Sequence, residues 1–173
     1  SSIAASLTAG WAMKRRLLRH QLPVIDVYVP PAGVTHLIAV SVKSPGGINL
    51  ARQIRDVLTS RRADVSKIVV VDEDVDVFNF DEVIHAMATK CHPLRGMEAR
   101  EVEPGKANVL TPCYTAEERA IQKGAVGLLD CTWPPEWYKH IDTDIPIKNS
   151  FQIMYPEKIK SKVLRNWKKY GFK

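Results

Sequence analysis

Apolar and polar positions along the chain alternate with two periods, and the switches between them mark out strands and helices in turn. Ile68, Val69, Val70 and Val71 form a β-branched run without a polar gap, the pattern of a central strand buried on both faces. An acidic loop follows at once, with Asp72, Glu73, Asp74 and Asp76. Asn79 stands three residues before Glu82, the spacing of a capping box at a helix start. Val83, Ile84, Met87, Ala88 and Cys91 then recur at helical spacing, and Pro93 and Gly96 stop the helix.

The same reading extends to the rest of the chain. Residues 2–21 are expected to be helical, with Ile3, Leu7, Trp11 and Leu18 on the buried face and Pro23 as the stop. Val24–Val29 and His36–Val42 read as strands, separated by Pro30-Pro31 and Gly33. Lys43-Ser44-Pro45-Gly46-Gly47 is a tight turn, and Leu50, Ala51, Ile54, Val57 and Leu58 stripe the helix after it. MEAREVE reads as an edge strand before Pro104-Gly105, and Thr115 to Gly124 as a short helix with a Thr115/Glu118 capping box. Ala125–Asp130 is a buried strand, and Thr132 to Met154 a long surface loop. A final helix takes Pro156 at its first position, carries Ile159, Val163, Trp167 and Tyr170 on one face, and ends at Gly171. The order of elements predicts an α/β fold, a three-layer sandwich with a mainly parallel or mixed sheet and a C-terminal helix.

Composition narrows the class without changing this picture. A chain of 173 residues with 45% hydrophobic and 25% charged residues suits one soluble globular domain. No apolar run approaches the roughly 20 residues of a membrane helix, and no signal segment opens the chain. Three cysteines without a CxxC spacing fit a reducing cytoplasm. The net charge of +6 is concentrated in two helices, at Lys14, Arg15, Arg16 and Arg19 and from Lys158 to Lys169. Both sets share their helices with apolar residues, so they read as solvated faces, and without a base-reading module no nucleic-acid role is expected.

Two loops carry candidate chemistry. The acidic loop has the composition of a carboxylate metal site of the receiver type, but that site needs acids from an earlier strand, where Asp26 stands alone. A solvated loop or partners for basic neighbours is the plainer reading, and no metal is expected here. The turn Ser44 to Gly47 precedes a helix, and its glycines allow backbone N–H groups to approach an anion. Both loops lie at the carboxyl ends of strands, where α/β sheets gather ligands. His85 and His92, seven residues apart, are separated by about 10 Å along one helix, too far for one zinc ion. Cys91 reads as a small buried side chain rather than a nucleophile.

The stretch VVVDEDVDVFNFDEVIHAMATKCHP resembles the signature of the carboxy-terminal domain of UbiD-type decarboxylases, the family that uses prenylated FMN. LPVIDVYVPPAG and HLIAVSVKSPGG upstream and KGAVGLLDCTWP downstream continue the resemblance in the same order, so that it spans roughly residues 2 to 170. At VKSPGG the sequence departs from many relatives, where a longer lysine-rich segment is frequent. The resemblance implies an enzyme for reversible, non-oxidative decarboxylation of aromatic or α,β-unsaturated acids. It also implies that prenylated FMN, a divalent metal and potassium are bound by a separate flavin-binding domain or subunit, together with the catalytic residues. This chain would be the oligomerising domain that closes over the flavin. It would lend Met87, Thr89, Lys43, Pro45 and Gly46 to the substrate pocket, without catalytic, cofactor or metal residues of its own. The alternative is a stand-alone α/β regulatory or binding module with an acidic metal-binding loop.

Overall fold

A computed structural model describes residues 2–110, 113–140, 145–146 and 155–171, divided into two compact units, Ser1–Lys139 and His140–Lys173. The first unit holds the sheet. Its strands are β1 (Val24–Tyr28), β2 (Leu37–Val42), β3 (Lys67–Asp72), β4 (Met97–Val102) and β5 (Gly124–Cys131), in the spatial order β1-β2-β3-β5-β4. β2, β3 and β5 run parallel at the centre, and β1 and β4 close the edges antiparallel. The expected mixed α/β sandwich is therefore the observed one.

The central valines explain the layering. Ile68 and Val70 point to one face, beside Ile38, Val40, Val126 and Leu128, and are covered by α1 (Ser2–Arg19) and α2 (Ile48–Thr59). Val69 and Val71 point to the other, with Ala39 and Cys131, under α3 (Phe80–Thr89) and the loop residues Val75 and Val77. All four of these β3 residues are fully buried. Removing such side chains from water is worth about 1.5–3 kcal/mol each, which makes β3 the strand on which both layers depend.

Two expected helix faces and one expected cap are corrected. On α1 the buried positions are Ser6, Gly10 and Leu17, whereas Leu7, Trp11 and Leu18 are exposed; the side chain of Ile3 lies outside the described residues. The reason is close approach. A Cβ at Gly10 would lie 2.9 Å from the Val27 carbonyl oxygen, so the helix presses its small residues against β1 and turns its large ones outward. On α3 the inward positions are Val83, Ala86, Met87 and Lys90, and Ile84 and Ala88 are exposed. Asn79 is the N-cap of α3 but makes no side-chain cap bond; Glu82 instead accepts from the Asp76 N–H at 3.3 Å.

Elsewhere the local readings hold. The edge strand after Gly96 is β4, tied to α2 by Glu98, which pairs with Arg52 and with the buried Arg55. The Arg52 hydrogen bond, more than any other contact, holds the Glu98 carboxyl below its ordinary value. Thr115 and Glu118 form the reciprocal capping box of α4 (Ala116–Ala120).

In the second unit the terminal helix is Glu157–Arg165, with Pro156 as N-cap rather than first helical residue. It stops at Arg165, and Trp167–Tyr170 is a 3-10 turn closed by Gly171 at φ 86°, so the expected stripe is interrupted. Most of the expected 132–154 loop lies outside the described residues, but its first part contains a 3-10 helix, Pro135–His140. Among the described residues no helix is long and apolar enough to cross a membrane.

Candidate functional site

Because β2, β3 and β5 are parallel, the loops that follow them emerge at one end of the sheet: Lys43–Gly47, Asp72–Asn79 and Thr132–Tyr138. Hydrogen bonds lock the first to the third. The Gly47 N–H donates to Thr132 Oγ1 at 2.5 Å, and Thr132 Oγ1 and its N–H both donate to Asp130 Oδ1, at 2.7 and 3.1 Å. A Cβ at Gly46 would lie 2.6 Å from the Thr132 side chain, which is why the turn needs glycine there. Burial, only partly offset by the Thr132 bonds, raises the Asp130 carboxyl above its ordinary value.

Asp72 locks the second loop to the third. It ends β3, is 2% exposed, and takes the Trp133 N–H on Oδ2 at 3.0 Å. Lys90, just past the end of α3, reaches the same oxygen at 3.2 Å and Asp74 Oδ1 at 2.9 Å. Asp72 Oδ1 is buried without a hydrogen-bond partner among the described residues. Burial therefore raises the Asp72 carboxyl, and the Lys90 charge works against that rise. The ammonium group also lies 5.1 Å from the Trp133 ring centre, and Trp133 stacks on Trp137 at 5.5 Å. Tyr138 lies beside Ser44, its phenol raised chiefly by burial. Ser44 N–H donates to Glu73 Oε1 at 3.2 Å.

The expected site residues fall around this crevice. Lys43 and Pro45 are exposed on the turn after β2, and Gly46 is buried against Thr132. Met87 is half-buried in the α3 core layer, one turn before Lys90. Thr89 is exposed, and its hydroxyl donates to the His85 carbonyl at 2.8 Å. The acids of the loop are engaged by donors of this chain. Asp72 and Asp74 meet Lys90, Asp76 accepts from the Phe78 N–H, and Asp26 pairs with Lys14 on the edge strand β1, two strands from β3. Among the described residues no three His, Cys, Asp or Glu side chains are placed to hold a metal ion. Burial raises both the Cys91 and Cys131 thiols, which keeps them in the poorly nucleophilic form.

Lys90, Thr132, Trp133, Trp137 and Tyr138 were not picked out from sequence. Lys90 did carry a signal, as the residue completing the 83, 86, 87, 90 spacing, the only charge on that face.

A family profile described as the 3-octaprenyl-4-hydroxybenzoate carboxy-lyase C-terminal domain matches residues 6–131. The chain belongs to this family. Ferulic acid decarboxylase 1 of Saccharomyces cerevisiae is 25% identical over 182 residues, covering 99% of this chain and 35% of that protein. Vanillic acid decarboxylase of Sedimentibacter hydroxybenzoicus shares the fold in its closed form (TM-score 0.66, 20% identity, 94% of this chain and 32% of that one) and in its open form (TM-score 0.63, 21% identity, 95% and 33%). The UbiD-class enzyme HmfF of Pelotomaculum thermopropionicum, solved in complex with FMN, aligns with a TM-score of 0.61 at 22% identity, over 82% of this chain and 31% of that one. The chain thus spans about a third of the length of these relatives. In the crevice of this UbiD-type domain the half-buried Lys90 is shared between two carboxylates, so its charge is already compensated.

Replacing Lys90 with methionine strands the Asp72 charge in the interior. Urea unfolding is expected to show a loss of about 3–5 kcal/mol, and Asp72→Asn in the same background to recover much of it. Equal effects of Lys90→Met with and without Asp72→Asn would show that the pair is not coupled.

Proposed function

We propose that this chain is the carboxy-terminal, pocket-closing domain of a prenylated-FMN-dependent enzyme that reversibly decarboxylates an aromatic or α,β-unsaturated acid. The observation that carries the reading is the crevice at the carboxyl ends of β2, β3 and β5, whose three loops are pinned together through Thr132 and Asp72. A rim fixed in this way can meet a second domain as one surface, and a fixed surface loses little freedom on closing. The flavin, its divalent metal and potassium, and the acid–base residues would belong to a partner flavin-binding domain or subunit. Occurrence of open and closed forms in the vanillic acid decarboxylase is consistent with a closing role for the domain.

Within this reading, Lys43, Pro45 and Gly46 edge the substrate pocket from the β2 side, and Met87 and Thr89 from the α3 side. The network around Asp72 positions them; it takes no part in the chemistry. Carried in the enzyme containing this domain, Met87→Trp is expected to shift kcat/KM across a panel of aromatic and unsaturated acids while the domain keeps its fold by circular dichroism. Unchanged kinetics for every acid would make Met87 ordinary core and remove the pocket role.

The terminal helix supports the assembly half of the proposal. Ile159 on this helix and Tyr170 on the 3-10 turn after it are 45% and 52% exposed, which leaves an apolar surface. We assign it to contact with a neighbouring protomer. Light scattering after size exclusion should show a smaller assembly when the chain is cut after Met154. Identical masses for cut and intact chain at tens of micromolar would contradict that role.

A further inference from the structure

The opposite end of the parallel strands holds a second concave site. A cavity of about 620 Å³ opens between the start of α1, the loop before β2 and the first residue of β3. That size is within the roughly 300–1,000 Å³ of small-molecule sites. Ala5, Pro31, Val34 and Leu37 supply apolar wall, and Ser6, Thr35, His36, Lys67 and Asn108 are the polar residues of the lining. Lys67 is separated from Asp72, and so from the crevice, by the length of β3, about 16 Å.

Three features distinguish this cavity from a surface irregularity. His36 is 9% exposed, and its Nδ1 is buried with no hydrogen-bond partner among the described residues. Its backbone is fully engaged: the N–H donates to the Gly33 carbonyl at 2.8 Å, and the carbonyl accepts from the N–H groups of Ser66 and Lys67. The main chain at His36 is therefore fixed in the wall. Secondly, Val34 and Thr35 have φ of 47° and 65°, a left-handed conformation that β-branched side chains resist. Strain of this kind costs about 1–3 kcal/mol per residue and gathers where a segment is held to clasp a ligand. Thirdly, Lys67 Nζ meets the Ser66 hydroxyl at 3.4 Å and no carboxylate among the described residues. An apolar wall with an ammonium at its edge that meets no carboxylate among the described residues asks for an anion on a hydrocarbon body.

We propose that this cavity is a binding site for a small monocarboxylic acid with an apolar body, independent of the crevice at the other end of the sheet. The hydrocarbon lies against Pro31, Val34 and Leu37, and the carboxylate meets Lys67. The inference does not depend on the decarboxylase reading, since it uses none of the crevice residues.

The test is a titration of the 173-residue chain with sodium benzoate and sodium octanoate, with benzyl alcohol as the uncharged control, followed by calorimetry and by amide chemical shifts. Saturable binding of the acids is expected, with the largest shifts at residues 31–37 and 67 and little change at 43–47. Lys67→Gln, at an exposed strand end, should weaken acid binding about tenfold, the value of one charge-assisted hydrogen bond. Ala5→Phe, at an exposed helix position, should fill the chamber and abolish binding while the circular dichroism spectrum is kept. Non-saturating titrations, shifts centred on the crevice, or equal binding of benzyl alcohol and benzoate by wild type and Lys67→Gln would each overturn the assignment.

Discussion

Burying Asp72 at the end of β3 creates a carboxylate that must find donors where water cannot reach, and its donors come from segments remote in sequence. The Trp133 N–H arrives from the chain after β5, and the Lys90 ammonium from the end of α3. An unpaired charge in such a place costs several kcal/mol, so the carboxylate fixes where both segments go. The Thr132 bonds to Asp130 and Gly47 then bring the turn after β2 into the same frame. A rim made of three loops thereby behaves as an extension of the sheet.

The elements that the sequence revealed most clearly are those whose burial is decided by a single strand or helix. The Ile68–Val71 run needed no tertiary knowledge to be read as central, and the Thr115/Glu118 box was a local bond that formed as spaced. The helix faces were harder because two apolar sets compete. On α1, Leu7, Trp11 and Leu18 outweigh Ser6, Gly10 and Leu17 in hydrophobicity, but only the small set allows the helix to approach the Val27 carbonyl. On α3 the choice was settled by Lys90, whose charge has to reach Asp72 and so rotates Ile84 outward. Hydrophobic period alone cannot weigh a close backbone approach or a buried ion pair.

The candidate site was legible in part for the same reason. The turn Lys43–Gly47 and the loop after β3 are adjacent because parallel strands share an end, a consequence of topology that the α/β pattern already implied. The third wall, Trp133, Trp137 and Tyr138, lay in a segment rich in proline and aromatics with no period to interpret, and only its hydrogen bonds to Asp72 and Ser44's neighbourhood bring it into the crevice. The acidic loop has the composition of a metal site because four acids cluster within five residues; Asp72 and Asp74 share Lys90, Asp76 accepts from the Phe78 N–H and Glu73 from the Ser44 N–H.

Hydrogen–deuterium exchange on the enzyme that contains this domain, with and without a bound substrate analogue, bears most directly on the central claim that the crevice rim is the surface that closes. The account predicts that ligand slows exchange together in peptides spanning 43–47, 73–79 and 132–138, since the three loops move as one. Protection confined to one of these loops, or found on the α1 and α2 face and not at the rim, would contradict it.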